Sequence, residues 1–178
     1  MTHHEVLNPA GGSGLYGVVR FKNCAVGVVP VDADGFIHLV GQYRYPLGRY
    51  SWEIPEGGAP LDSDPLEHAK RELLEETGLE SSDWRPILEM HLSNSVTTEH
   101  SRCYLALDVR RTAPPSPDED EDLKHRTIPF SEALEEIWRG EITDAITVAG
   151  LLKLHAMMIR GELPSATLDA LRRTFAEA

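Results

Sequence analysis

Between Gly57 and Leu79 the chain commits to one local shape, a glycine-rich turn running into a capped acidic helix. Asp64-Pro65 reads as a helix start, with Asp as N-cap and Pro in the first turn. Leu66, Ala69, Leu73 and Leu74 give the helix an apolar side, and Gly78 ends it. Glu72, Glu75 and Glu76 stand at i, i+3 and i+4 and therefore share one face. Like charges at that spacing destabilise a helix by roughly a few tenths of a kcal/mol per pair. An opposing charge is needed, and clustered hard oxygen donors suit Mg²⁺ or Mn²⁺ better than Zn²⁺. The competing interpretation is an ordinary solvated acidic face.

The surrounding sequence places this helix in a mixed fold. Residues 15–22, 24–31, 36–43 and 50–54 read as strands, with a turn at Asp32-Ala33-Asp34-Gly35. Pro55-Glu56-Gly57-Gly58 is expected to end the fourth strand, followed by a polar loop. Residues 85–92, 102–110 and 124–129 read as further strands. Helices are expected over 131–139 with Ser131 as N-cap, over 143–159 with Thr143 as N-cap, and over 165–178. Residues 111–122 form a Pro- and acid-rich loop. No repeat and no linker divides the chain, so residues 1–178 read as a single domain with residues 1–14 as a short N-terminal extension. Strands in runs with interspersed helices predict an α/β fold, a mixed sheet with helices on both faces.

At 178 residues the chain is long enough to bury a proper core. Its net charge of −12 argues against nucleic acid and anionic membrane surfaces as partners. A phosphate substrate stays open, because a bound cation inverts the local field. Cys24 and Cys103 both fall in apolar strand-like runs and read as buried free thiols of a reducing compartment. No leader is legible at Met1-Thr2-His3-His4-Glu5 and no apolar run could span a bilayer, so a cytoplasmic location is expected.

The motif resembles the Nudix hydrolase signature: Gly, five residues, Glu, seven residues, then Arg-Glu-aliphatic-any-Glu-Glu-any-Gly-aliphatic. Gly57 and Arg71-Glu72-Leu73-Leu74-Glu75-Glu76-Thr77-Gly78-Leu79 fit it in register. Ser63 stands where the pattern has its first Glu. The resemblance implies a Nudix-like α/β/α sandwich and metal-dependent hydrolysis of a nucleoside diphosphate linked to another group. It makes Glu72 and Glu76 direct metal ligands and Glu75 a third ligand or one acting through water. Carbonyls near Glu56 and Gly57 could add a ligand, because glycine lets backbone approach an ion. Arg71 would orient the glutamates by ion pairing. Ser63 cannot supply an anion, so one supporting interaction is expected to differ. Asp62 or Asp64 could replace it, although Asp64 is more simply the helix cap.

Segments outside the motif resemble the ADP-ribose and nucleotide-sugar pyrophosphatase branch. They are Gln42-Tyr43-Arg44-Tyr45-Pro46, Trp52-Glu53-Ile54-Pro55-Glu56-Gly57-Gly58, the acidic run Asp118-Glu119-Asp120-Glu121-Asp122, and Gly140-Glu141-Ile142-Thr143-Asp144-Ala145-Ile146-Thr147. By that resemblance Arg44 contacts a phosphate, and Glu53 helps position substrate or the turn carrying Gly57 and Gly58. Glu119 would be the water-activating base and Glu121 a further metal contact, on a loop that closes over substrate. Glu99, in the polar loop 93–99, would contact a ribose hydroxyl or a metal-bound water. Segment 140–147 reads as structural only. Tyr43, Tyr45, Tyr50 and Trp52 could stack on a base, although aromatic residues on strands are more often core. A homodimer is expected from the branch, although the first clear strand near Leu15 leaves the N-terminal sheet short. Two other functions fit the motif: a nucleoside triphosphate or dinucleoside polyphosphate hydrolase, and a non-catalytic nucleotide-binding module.

Overall fold

The structure, a computed structural model, describes residues 1–116 and 122–176. Its frame is a seven-stranded mixed sheet. The strands are β3 (Asn23–Val31), β4 (Phe36–Arg44), β5 (Arg49–Glu53), β6 (Glu56–Pro60), β8 (Asp83–His91), β9 (His100–Leu107) and β11 (Lys124–Pro129). The path runs β11-β4-β3-β9-β8, with β5 paired to β4 and β6 to β3. Among the described strands of this sheet, β3 and β9 run parallel and the other pairs are antiparallel. Two-residue strands β7 (Leu79–Glu80) and β10 (Arg110–Arg111) form a separate ribbon beside the sheet.

Helices cover both faces because β3 and β9 are apolar on both. Val26, Val28, Tyr104 and Ala106 pack with Ala69 and Leu73 of α1 (Pro65–Thr77) on one face. Val29, Val31, Cys103 and Leu105 pack on the other with residues of α2 (Phe130–Trp138), α3 (Ala145–Arg160) and α4 (Ser165–Ala176). Strands buried on two sides read as continuous apolar runs, which is how 24–31 was legible. Cys24 and Cys103 are buried free thiols, as expected.

Four local expectations are corrected. A strand β1 (Thr2–Leu7) lies within the residues read as an extension and pairs as a hairpin with β2 (Ser13–Val18), which overlaps the strand read over 15–22. Almost every residue of that hairpin is exposed, so it carries no burial pattern to read. Glu56–Pro60, expected as turn and loop, is strand β6, paired to β3 from Gly27↔Glu56 to Asn23↔Pro60. The N-cap of α3 is Asp144 rather than Thr143, and its side chain accepts from Thr147 N. The N-cap of α2 is Pro129; Ser131 instead donates its hydroxyl to Thr174 O at 2.6 Å, tying α2 to α4.

The helix α1 forms as read. Asp64 accepts from Leu66 N at 3.0 Å, Pro65 opens the first turn, and Gly78 closes it in the left-handed region at φ 70°.

Candidate metal and pyrophosphate site

The Gly57-Gly58 strand and the acidic face of α1 meet in a cavity of ≈ 270 Å³. Asn23, Glu56, Gly57, Gly58, Arg71, Glu72, Glu75 and Glu76 line it. Seven of these eight are residues singled out from the sequence, Asn23 being the exception. β6 is drawn against α1 because it pairs with β3, over whose face α1 packs. Gly57 is required sterically: a Cβ there would overlap the Glu72 carboxyl. This backbone approach to a carboxylate is the close contact for which a strand gives up a side chain.

Arg71 sits between two of the glutamates. Its Nη1 donates to Glu75 Oε2 at 2.6 Å and its Nη2 to Glu72 Oε1 at 2.5 Å. The like-charge repulsion inferred from the spacing is therefore offset within the helix by one guanidinium. Glu76 is buried at the base of the cavity, 4% exposed. Its Oε2 accepts from the backbone N–H of Glu56 at 3.2 Å, joining α1 to β6. The donors are hard oxygens around a backbone turn, a set that fits Mg²⁺ or Mn²⁺. Among the described residues no three His, Cys, Asp or Glu converge as a ready-made cage.

Behind the turn lies a second acidic group that sequence reading treated as backbone only. The Glu56 Oε1 accepts from the buried Thr147 hydroxyl at 3.1 Å. Burial pushes the Glu56 carboxyl well above the usual carboxylate range, and the neighbouring Asp144 carboxyl pushes it further. Glu53 is buried and pairs with Arg44, whose Nε lies 3.1 Å from both carboxylate oxygens and whose Nη2 also donates to Oε2. The hydrogen bonds that Arg44 donates to Glu53 raise the Arg44 pKa further. Arg44 and Glu53, given separate roles from the sequence, are thus partners of each other.

The remaining expected residues divide. Glu99 is not among the residues lining the cavity; its carbonyl accepts from Leu92 N and closes the turn between β8 and β9. Glu119 and Glu121 lie outside the described residues. Ser63 is bound into a tight turn, its hydroxyl donating to Pro60 O at 2.7 Å, and takes no part in the cavity lining. Tyr43, Tyr45 and Tyr50 are exposed rather than core, at 60%, 87% and 39%. Trp52 packs partly against the core, with the Arg126 guanidinium 4.3 Å over its ring. Asn23, Asp144 and Thr147 were missed as site residues. Asn23 carries no motif, and the other two reach the turn from a helix about 90 residues along the chain.

A mixed sheet sandwiched by helices, with an arginine-glutamate helix against a glycine strand, defines a class of phosphate-handling fold. The NUDIX domain model matches residues 22–147. The chain belongs to the Nudix family. It is 36% identical over 155 residues to an ADP-ribose pyrophosphatase of Mycobacterium tuberculosis, covering 86% of this chain and 74% of that protein. It is 33% identical over 156 residues to an ADP-ribose pyrophosphatase of Bacillus subtilis, covering 85% and 82%. A crystal structure of an ADP compounds hydrolase superposes with a TM-score of 0.79 over 90% of this chain and 87% of that one, at 20% identity, and so shares the fold.

Proposed function

We propose that the protein is a divalent-metal-dependent pyrophosphatase acting on ADP-ribose or a related nucleoside diphosphate sugar. Water adds to one phosphorus, and the bridging oxygen leaves with the other phosphate. From ADP-ribose the products are AMP and ribose 5-phosphate. The observation that carries this reading is the cavity in which Gly57 backbone meets the carboxylates of Glu72, Glu75 and Glu76. The two pyrophosphatase relatives, each matched over most of its length, support the substrate class.

A bound Mg²⁺, or Mn²⁺ in its place, would neutralise charge on the diphosphate and lower the pKa of the attacking water. Glu72 and Glu76 would hold it, with Glu75 as a third ligand or one acting through water, and a carbonyl near Glu56 or Gly57 adding to the set. Arg71 keeps Glu72 and Glu75 aligned. Arg44, held by Glu53, would contact a substrate phosphate. Glu119 is proposed as the base that takes the proton from water, and Glu121 as a further metal contact. Glu99 is kept as a contact to ribose. We further read the chain as one catalytic domain acting in the cytoplasm as a homodimer. The exposed β1–β2 hairpin, with Leu7 74% and Leu15 70% exposed, supports a second copy as its cover.

The reading is tested by a panel of ADP-ribose, GDP-mannose, nucleoside triphosphates and dinucleoside polyphosphates, with excess Mg²⁺ or Mn²⁺ and product identification. Cleavage of ADP-ribose to a nucleoside monophosphate and a sugar phosphate is expected. Preferential release of inorganic pyrophosphate from triphosphates would redirect the assignment. Tight ADP-ribose binding without cleavage would make the protein a binding module.

A further inference from the structure

We infer that Thr147, on the first turn of α3, is a positioning residue for the metal-facing carboxylate of Glu76. Its side chain is wholly buried. The hydroxyl accepts from Ile54 N at 3.0 Å and donates to Glu56 Oε1 at 3.1 Å. One hydroxyl therefore grips both sides of Pro55, where β5 gives way to β6. Glu56, held by its side chain, presents its backbone N–H to Glu76 Oε2. The path runs from α3 to the turn and from the turn to α1.

Thr147 cannot drift from this position. Its own N–H is held by the N-cap carboxylate of Asp144 at 2.8 Å. Beside it Ile146 fits against Gly27, where a Cβ would stand 2.7 Å from the Ile146 methyl. Gly27 is the residue paired with Glu56 across β3 and β6. The start of α3 is thus keyed to the same strand position that it braces. Partners of metal-facing carboxylates typically change metal affinity by about 10- to 100-fold when removed.

This inference rests on the metal role proposed for Glu76, and direct Mn²⁺ binding tests it without relying on turnover. Mn²⁺ titrations by calorimetry would compare wild type with Thr147→Val, Thr147→Ser, Glu56→Ala and the Thr147→Val/Glu56→Ala double variant. Thermal melts would be recorded in parallel. Thr147→Val and Glu56→Ala are expected to raise the Mn²⁺ dissociation constant by about 10-fold or more. The double variant should be no weaker than the weaker single, because both break one path. Thr147→Ser, which keeps the hydroxyl, should stay within about twofold. A Thr147→Val protein with a lowered melting temperature and wild-type Mn²⁺ affinity would overturn the inference and reduce Thr147 to a structural residue. If Thr147→Val fails to fold, Glu56→Ala decides: wild-type Mn²⁺ affinity there overturns the inference as well. A wild type that binds no Mn²⁺ would remove the metal reading beneath it, a result distinct from unaffected variants.

Discussion

The carboxylates of this chain have the same chemistry and different tasks, and neighbours assign the tasks. Glu72 and Glu75 share Arg71, Glu76 holds a backbone N–H, Glu53 holds Arg44, and Glu56 faces a hydroxyl and another acid. Replacing Glu76 with Gln removes a charge but little volume. Loss of several kcal/mol of metal-borne stabilisation predicts a fall in kcat of about 10²- to 10³-fold at near-wild-type melting temperature. Steady-state kinetics beside a thermal melt would show both. Arg44→Ala should act differently, because it leaves the buried Glu53 carboxylate unpaired. A fully buried pair loses about 3–5 kcal/mol when broken, and the partly exposed Arg44 side chain lowers that to about 2–3 kcal/mol. Urea denaturation would measure it. The sequence showed Arg44 and Glu53 as neighbours of the motif, yet not as a pair. Their contact depends on the register of β4 against β5, set by the short helical turn Tyr45–Leu47 between them. Glu72, Glu75 and Glu76 were legible because a helix of known period carries all three.

Among the elements, those governed by local chemistry were readable and those governed by distant pairing were not. α1 announces itself through Asp64, Pro65 and Gly78. Asp64→Ala should cost about 1 kcal/mol, and Gly78→Ala at least about 1 kcal/mol, because φ is 70° and Ala113 O stands against any added Cβ. Chemical denaturation checks both. β6 was unreadable because its glycines mimic a loop, and only β3 opposite makes them a strand. The β4–β11 pair carries a pH-sensitive contact. His125 stacks on His38 with ring centres 5.2 Å apart and lies beside Arg111. Burial, together with those neighbours, lowers its pKa to about 4. The unfolded chain binds this proton near pH 6.5 and the folded chain only near 4. Stability from His125 is therefore complete above pH 6.5 and is lost as pH falls toward 4. The partly exposed ring limits the loss to about 1–2 kcal/mol. His125→Gln should flatten the decline in melting temperature over that window.

At the scale of the whole molecule, the sheet brings α1, β6 and α3 together at one end, and no single stretch of sequence contains that junction. The general class was readable because a long motif and two-sided apolar strands constrain it together. The contribution of α3 was hidden because about 90 residues separate Thr147 from the turn it braces. Strand β1 was hidden for the opposite reason, since the β1–β2 hairpin buries almost nothing within the protomer. Hairpins standing alone in water are marginal, and this one is tied to the loop after β8, where the Tyr16 hydroxyl donates to Ser95 O and Val19 bridges Thr97. If the proposed homodimer forms through this hairpin, removing residues 1–18 should leave the melting temperature of the remaining body nearly unchanged while giving a monomer, where the full chain gives a dimer, in analytical ultracentrifugation. An unchanged sedimentation coefficient per protomer number would remove the hairpin from the interface.

This cavity is proposed to hydrolyse the diphosphate of a nucleoside diphosphate sugar with the help of a divalent cation. The most direct measurement is ³¹P NMR of ADP-ribose incubated with the protein, with and without Mg²⁺. Replacement of the diphosphate signals by two phosphomonoester signals, AMP and ribose 5-phosphate, only when Mg²⁺ is present is the predicted result. Diphosphate signals that persist with Mg²⁺ and with Mn²⁺, or cleavage undiminished by chelation of the metal, would contradict it.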